Sequence, residues 1–271
     1  MNIDVKTTTE KLIVYLKDWF NKFSEDSVAI IGISGGKDST VAAALLARAL
    51  GPERVIGVMM PNGIQSDIED SISVCETLGI KNMTVNISEP YKAFLKTLKV
   101  SGINNTKEQL RINLAPRIRM TTLYAVAQSL DVPAFVVNTC NRSEDYVGYS
   151  TKYGDAAGDI AILQNFLVSD VVAIGDELGL PKELVHKAPS DGLCGKTDED
   201  NLGFTYEKLD QYIMWLDSPD KIDTECPISE ELVNTIERKH NSNLHKLRPM
   251  PTYSDQGIRK RKEKDIRNFK D

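Results

Sequence analysis

Apolar residues recur at helical spacing through Leu12, Tyr15, Leu16, Trp19 and Phe23, so residues 7–23 are predicted as an amphipathic helix with a Thr/Glu start that resembles a capping box. The pattern then changes. "SVAIIGIS" (27–34) is β-branched with no polar alternation, as in a parallel strand buried on both faces. Strand and helix alternate from there: "KDSTVAAALLARALG" is a helix closed by Gly51, "RVIGVMMP" a second strand, "DIEDSISVCETLGI" a helix and "NMTVNI" a third strand. "EPYKAFLKTLK" and "PRIRMTTLYAVAQSL" follow as helices. Pro116 is expected to open the second of them, because its missing N–H is harmless at a first helical position. "PAFVVNT" (133–139) is a fourth strand. Such succession predicts an α/β fold, a mostly parallel twisted sheet with helices on both faces and right-handed crossovers. Ligands of these sheets bind beyond the carboxyl ends of the strands, which directs attention to residues 32–40, 60–67 and 138–159. Residues 187–204, dense in Pro, Gly, Ser and Asp, read as a long loop, and helices over roughly 205–217 and 229–244 close the chain.

Composition narrows the class. At 271 residues the chain lies near the upper end, about 250 to 300 residues, of what one core organises, so a single domain over 1–271 is expected. It is 41% hydrophobic and 27% charged, an ordinary globular balance. A net charge of -6 argues against broad affinity for nucleic acid. The basic stretch "GIRKRKEKDIRNFK" belongs to a tail, 257–271, that reads as solvated and flexible. Cys75, Cys140, Cys194 and Cys226 are widely spaced and read as reduced thiols, and neither a signal peptide nor an 18-residue apolar run is found. A cytoplasmic protein without a membrane span is expected.

The candidate chemistry begins at "GISGGKDST" (32–40). Gly35, Gly36, Lys37 and Ser39 suit a phosphate loop between strand and helix, where free N–H groups and the helix dipole favour an anion. The Walker A pattern fails, because Asp38 follows the lysine and Ile31 stands where its first glycine belongs. Asp38 reads in two ways: as an acid favoured in a first helical turn, or as a ligand of Mg²⁺ lying between it and a phosphate.

With its S-G-G-x-D-S core the loop resembles the signature of the N-type ATP pyrophosphatases, which cleave ATP between the α and β phosphates. "TCNRSEDYVGYSTKYGDAAGDI" (139–160), "PRIRMTTLYAVA" (116–127), "KAPSDGL", "TDEDNLGFTYEKLD" and "LHKLRP" are similar, in the same order, to segments of the NAD synthetases within that superfamily. The resemblance implies a Rossmann-like fold of the adenine nucleotide alpha hydrolase type and ATP-dependent amidation of deamido-NAD (nicotinate adenine dinucleotide) to NAD, through an acyl-adenylate, with release of AMP and pyrophosphate. It implies that Gly32, Ile33, Ser34, Gly35, Gly36, Lys37, Asp38 and Ser39, with Gln65, Thr139 and Ser190, contact ATP, and that Asp38 and Glu144 hold Mg²⁺. Arg117, Lys152, Asp159, His245 and Lys246, together with Tyr124, Tyr149 and Phe20, match contacts of deamido-NAD, Arg117 reaching across a homodimer interface. Asp155 matches an acid near the amidated carboxyl, and with Asp38 and Glu144 it completes the catalytic set. The 187–204 loop would serve as a lid.

Two positions depart from the family: Val168 stands where a phosphate-contacting lysine is usual, leaving Lys37 or Lys196 to cover that charge, and Y-G-D-G-G is Y-G-D-A-A, with Ala156 and Ala157. Taken singly, Lys152 and Lys246 read as surface lysines, the aromatics as core or interface residues, and no histidine pair has zinc spacing. Because glutamine-using relatives carry a further amidase domain, the ammonia-using kind is expected. The rivals are a tRNA-modifying relative and an ATP-binding module without turnover.

Overall fold

A computed structural model describes residues 3–64, 68–186, 197–219 and 224–251. Helix α1 (Val5–Asn21) starts earlier than predicted because Asp4 caps it, accepting hydrogen bonds from the N–H and the hydroxyl of Thr7 at 3.2 and 2.7 Å. Strand β1 (Val28–Gly32) leads into α2 (Lys37–Leu50), which ends at Gly51 with φ 89°. Strand β2 (Val55–Met59), α3 (Ile68–Leu78), β3 (Lys81–Thr84), α4 (Ser88–Val100), α5 (Glu108–Gln128) and β4 (Ala134–Asn138) follow in the predicted order.

All strand pairs are parallel, in the order β3-β2-β1-β4-β5. The edge strand β5 (Ile160–Ala161) is two residues long, too short to leave a periodic trace in the sequence. Alternate residues supply the two faces. Ala29, Ile31, Val55, Met59 and Val137 pack toward α1, α2 and α3, while Ile30, Val58 and Val136 pack toward α5. Gly57 is what lets α3 approach: a Cβ there would lie 3.0 Å from the Cys75 sulfur and 2.9 Å from Ile33 Cγ1.

Pro116 corrects the reading of α5. It stands inside the helix, where the lost hydrogen bond costs about 3 kcal/mol or more in isolation. Leu114, Ala115 and Pro116 are all buried, so burial of that face offsets the break, and the sequence rule that proline marks a helix start fails here.

Beyond β4 the chain continues with α6 (Arg142–Val147), α7 (Val168–Glu177) and α8 (Lys182–Val185). Residues 187–196 of the predicted lid lie outside the described residues, as do Gln65 and the 257–271 tail. Residues 197–204 are largely helical: Thr197 caps α9 (Asp198–Leu202) in a full capping box, and Leu202 and Phe204 are buried. Helices α10 (Tyr206–Asp217) and α11 (Glu230–Leu247) form a second apolar cluster with Val147 of α6, separate from the sheet core. Among the described residues no helix is long and apolar enough to cross a membrane.

Candidate active site at the carboxyl end of the sheet

Gly32 ends β1 and Gly36 caps α2 without a side-chain acceptor for the first-turn N–H groups. The loop is held by its own hydroxyls. Ser34 Oγ accepts from the Gly36 N–H at 3.2 Å, Ser39 Oγ accepts from the Ser34 N–H at 3.3 Å, and Ser39 and Thr40 donate to the Gly36 carbonyl. Gly35 adopts φ 76°, and a Cβ there would meet Asp70 and Ser71 at 3.0–3.2 Å, so glycine is required on both counts. Ile33 and Ser39 are buried and shape the loop from beneath, while Ser34 is exposed at its rim. Thr139 lies half-buried just past β4.

Asp38 meets its partners from two directions. Its Oδ1 accepts from Asn141 Nδ2 at 3.0 Å and its Oδ2 from Lys37 Nζ at 2.9 Å. Asn141 also caps α6 in a capping box with Glu144, which places Glu144 against the loop. Burial, then the Asp38 charge, hold the Glu144 carboxyl well above the ordinary glutamate range, against the pull of Lys37. Lys37 is only 5% exposed. Burial draws its pKa down, but Asp38, Glu144 and Asp198 outweigh that and leave it above the usual lysine value. The Lys37 ammonium also sits 5.5 Å from the centre of the Tyr206 ring.

The Y-G-D-A-A turn forms a second wall. Asn138 Nδ2 donates to the Asp155 carbonyl at 2.9 Å and to that of Ala157 at 3.3 Å, and its Oδ1 accepts from the Cys140 N–H. Gly158 passes so close that a Cβ would lie 2.8 Å from Asn138 Cβ. Ala156 and Ala157 are accommodated in the turn, their N–H groups bonding to Thr151 and Gly154 carbonyls. Asp155 is an exposed residue by surface area, yet the protein packed around its carboxyl raises its pKa, against a 3.0 Å hydrogen bond from the Thr151 N–H. A cavity of about 270 Å³ beside this turn is lined by Asn138, Cys140, Asp145, Gln164 and Lys246 among others.

The matched dinucleotide residues divide into two groups. Lys246 donates to the Gly148 carbonyl at 2.7 Å, Lys152 to the His245 carbonyl at 2.6 Å, and Arg117 to the Lys152 carbonyl at 3.4 Å, so these four converge around residues 148–152. Tyr149 donates to Asp198 at 3.3 Å. Tyr124 donates to Asp159 at 3.3 Å, Asp159 also accepting from the Val136 N–H at 2.7 Å, and Asp159 lines the same cavity as Lys246.

Phe20 is a correction. It is fully buried in the sheet core, edge-on to Trp19 at 5.0 Å and to Phe135 at 5.9 Å, because α1 packs its apolar stripe against the sheet; it presents no surface to a dinucleotide. Gln65, Ser190 and Lys196 fall outside the described residues. Val168 begins α7 with its N–H on Ser143 Oγ at 3.1 Å and its side chain against the second apolar cluster. Sequence reasoning assigned nothing to Asn141, Asp198 or Tyr206. Asp198 carried one readable signal, the T-D-E-D capping pattern that fixes its place at the start of α9.

The NAD synthase family profile matches residues 8–250. Over 250 residues the chain is 35% identical to an NH(3)-dependent NAD(+) synthetase of Carboxydothermus hydrogenoformans, covering 92% of this chain and 97% of that one. It is 41% identical over 215 residues to the enzyme of the same name from Thermococcus sibiricus, covering 78% and 81%. A solved structure of an NMN synthetase from Francisella tularensis superposes with a TM-score of 0.80 at 33% identity, over 94% of this chain and all of that one. With the uncapped phosphate loop, the Asp38–Glu144 pair and this match across nearly the whole chain, the protein belongs to the NAD synthase family.

Proposed function

We propose that this chain amidates deamido-NAD with ammonia, using ATP and releasing AMP and pyrophosphate. The observation that carries the proposal is the meeting, at the carboxyl end of a parallel sheet, of an uncapped helix N-terminus with two carboxylates brought from separate elements. The free N–H groups of α2 bind phosphate oxygens, and the serines fix their geometry. The donor set suits Mg²⁺: Asp38 and Glu144 would be oxygen ligands, brought to one loop by Asn141, which donates to Asp38 and caps the helix that carries Glu144. Such an ion takes one or two carboxylates and completes its shell with phosphates and water. When bound there, Mg²⁺ neutralises charge on the departing pyrophosphate.

The rest follows from the chain's own groups. Lys152, His245 and Lys246 line the approach for the anionic dinucleotide, and Arg117, hydrogen-bonded to the Lys152 carbonyl of its own chain, stands at the edge from which it would reach a second subunit of a homodimer. The nicotinate carboxylate attacks the α-phosphorus of ATP, and pyrophosphate leaves from the loop. Ammonia then displaces AMP. Asp155 receives the proton that ammonium sheds; its raised pKa moves it toward what a general base near neutral pH requires.

Pyrophosphate release measured with and without deamido-NAD and ammonium tests the proposal. Release that does not depend on deamido-NAD refutes it and favours a tRNA-modifying relative, and stable ATP binding without release favours a non-catalytic module. Glutamine failing to replace ammonium is expected. A smaller substrate, nicotinate mononucleotide, is a second reading, because Phe20 no longer serves the dinucleotide and the fold closely matches a protein named for NMN synthesis; a higher kcat/KM for the mononucleotide would establish it.

A further inference from the structure

We propose that Lys37 is a resident cation of the acid pocket: it holds Asp38 until a divalent ion takes its place, and its freed ammonium then binds the phosphates of ATP. This rests on the magnesium reading above. Lysine is an odd residue at the first position of α2, since the helix dipole disfavours a cation there, and at 5% exposure its charge is costly without partners. What holds it is the pocket: Asp38 Oδ2 at 2.9 Å, the Tyr206 ring face, and the charges of Glu144 and Asp198.

That arrangement is unbalanced in the way a displaceable cation would leave it. Among the described residues the charges of Asp38, Glu144 and Asp198 all act on the Lys37 ammonium, Asp198 also accepting from the Tyr149 hydroxyl. The Tyr206 hydroxyl, beside the same carboxylates, is 3% exposed and makes no hydrogen bond among the described residues, so a buried polar atom in this pocket still lacks a partner. An ammonium 2.9 Å from Asp38 Oδ2 and a divalent ion on the same carboxylate would repel each other at close range, so the metal favours departure of the ammonium. Lys37 leaves on a flexible stem rooted in the loop whose N–H groups face the phosphates, so it reaches them without main-chain movement. The usual phosphate-contacting lysine is Val168 here, whose side chain lies in the second apolar cluster; Lys37 supplies the missing charge.

Mn²⁺ binding to the full-length, nucleotide-free enzyme, followed by electron paramagnetic resonance, tests the exchange, and the KM for ATP reports the second half. In Lys37→Met, Mn²⁺ should bind at least about tenfold more tightly, because a hydrogen bond to a charged group no longer opposes it, while the KM for ATP rises. Lys37→Gln, which keeps a polar side chain, should show the same two changes if the methionine variant folds poorly. Unchanged or weaker Mn²⁺ binding, or an unchanged KM, overturns the inference. Asp38→Asn separates this from failure of the parent reading: if wild type with ATP binds Mn²⁺ no better than that variant, the magnesium site itself is wrong, whereas a normal Asp38→Asn loss with no Lys37 effect refutes the exchange alone.

Discussion

Removing the Tyr206 hydroxyl should make the protein more stable. Tyr206→Phe deletes one oxygen that is buried and has no hydrogen-bond partner among the described residues, while the ring stays in the second apolar cluster under Lys37. Burial, reinforced by Glu144, Asp198 and Asp38, pushes the phenol far above its ordinary pKa, so it remains a neutral, unsatisfied donor and the effect should not vary with pH near neutrality. A buried group without a partner forfeits about 1 to 3 kcal/mol. With the hydroxyl gone, nucleotide-free stability should rise by about 1 kcal/mol, which is about 2 °C in Tm for a chain of this size. Urea unfolding gives the measurement, with an unchanged m-value showing that the unfolded state is not the cause. Tyr206→Ala, by contrast, should cost about 3 kcal/mol or more. A phenylalanine variant less stable than wild type by 1 kcal/mol or more would refute the reasoning, because the hydroxyl would then be partnered in the folded chain. If kcat/KM falls while stability rises, the oxygen is retained for catalysis.

Other consequences are direct. Because burial raises the Asp155 pKa and a base must be ionised, kcat/KM should fall on acidification through a value above 3.8, and Asp155→Asn should remove that acid limb with most of the activity. The same shift has the opposite sign for stability, since a carboxyl harder to ionise in the folded state loses stability as pH rises from 3.8 to its folded value; Asp155→Asn should therefore be at least as stable as wild type at pH 7 by thermal melting. Phe20→Ala should cost about 3 to 5 kcal/mol in chemical denaturation without a selective rise in the KM for deamido-NAD. Of Cys75, Cys140 and Cys226, native alkylation followed by mass spectrometry should find Cys226 first: the other two are buried, and burial pushes the Cys75 thiol to about 11 and the Cys140 thiol up as well.

The sheet was readable because its central strands are continuous β-branched runs and because Gly51 punctuates the first crossover. Asp38 was readable because a carboxylate inside a phosphate loop has few purposes. What escaped has physical reasons. Strand β5 is held by two residues of pairing, too few to repeat. Pro116 obeys burial over its local rule. Asn141 meets Asp38 across 103 positions, and Asp198 and Tyr206 join that pocket from helices whose patterns announce only caps and core. Phe20 had an aromatic side chain in a matched place, and only packing shows that the sheet claims it.

Helix α6 is six residues long, yet Arg142 pairs with Asp217, Ser143 with Asp210 and Tyr146 with Glu237. Its end, Gly148, turns at φ 64° so closely against α11 that a Cβ would collide with Asn243. Such a short helix has little stability of its own, so the aim of Glu144 is set by α10 and α11, whose described contact with the phosphate loop is the Tyr206 ring against Lys37. Loosening α10 or α11 is then felt as lost alignment at Glu144, and occupancy of the loop should in turn slow amide hydrogen exchange along both helices, out to turns remote from the loop.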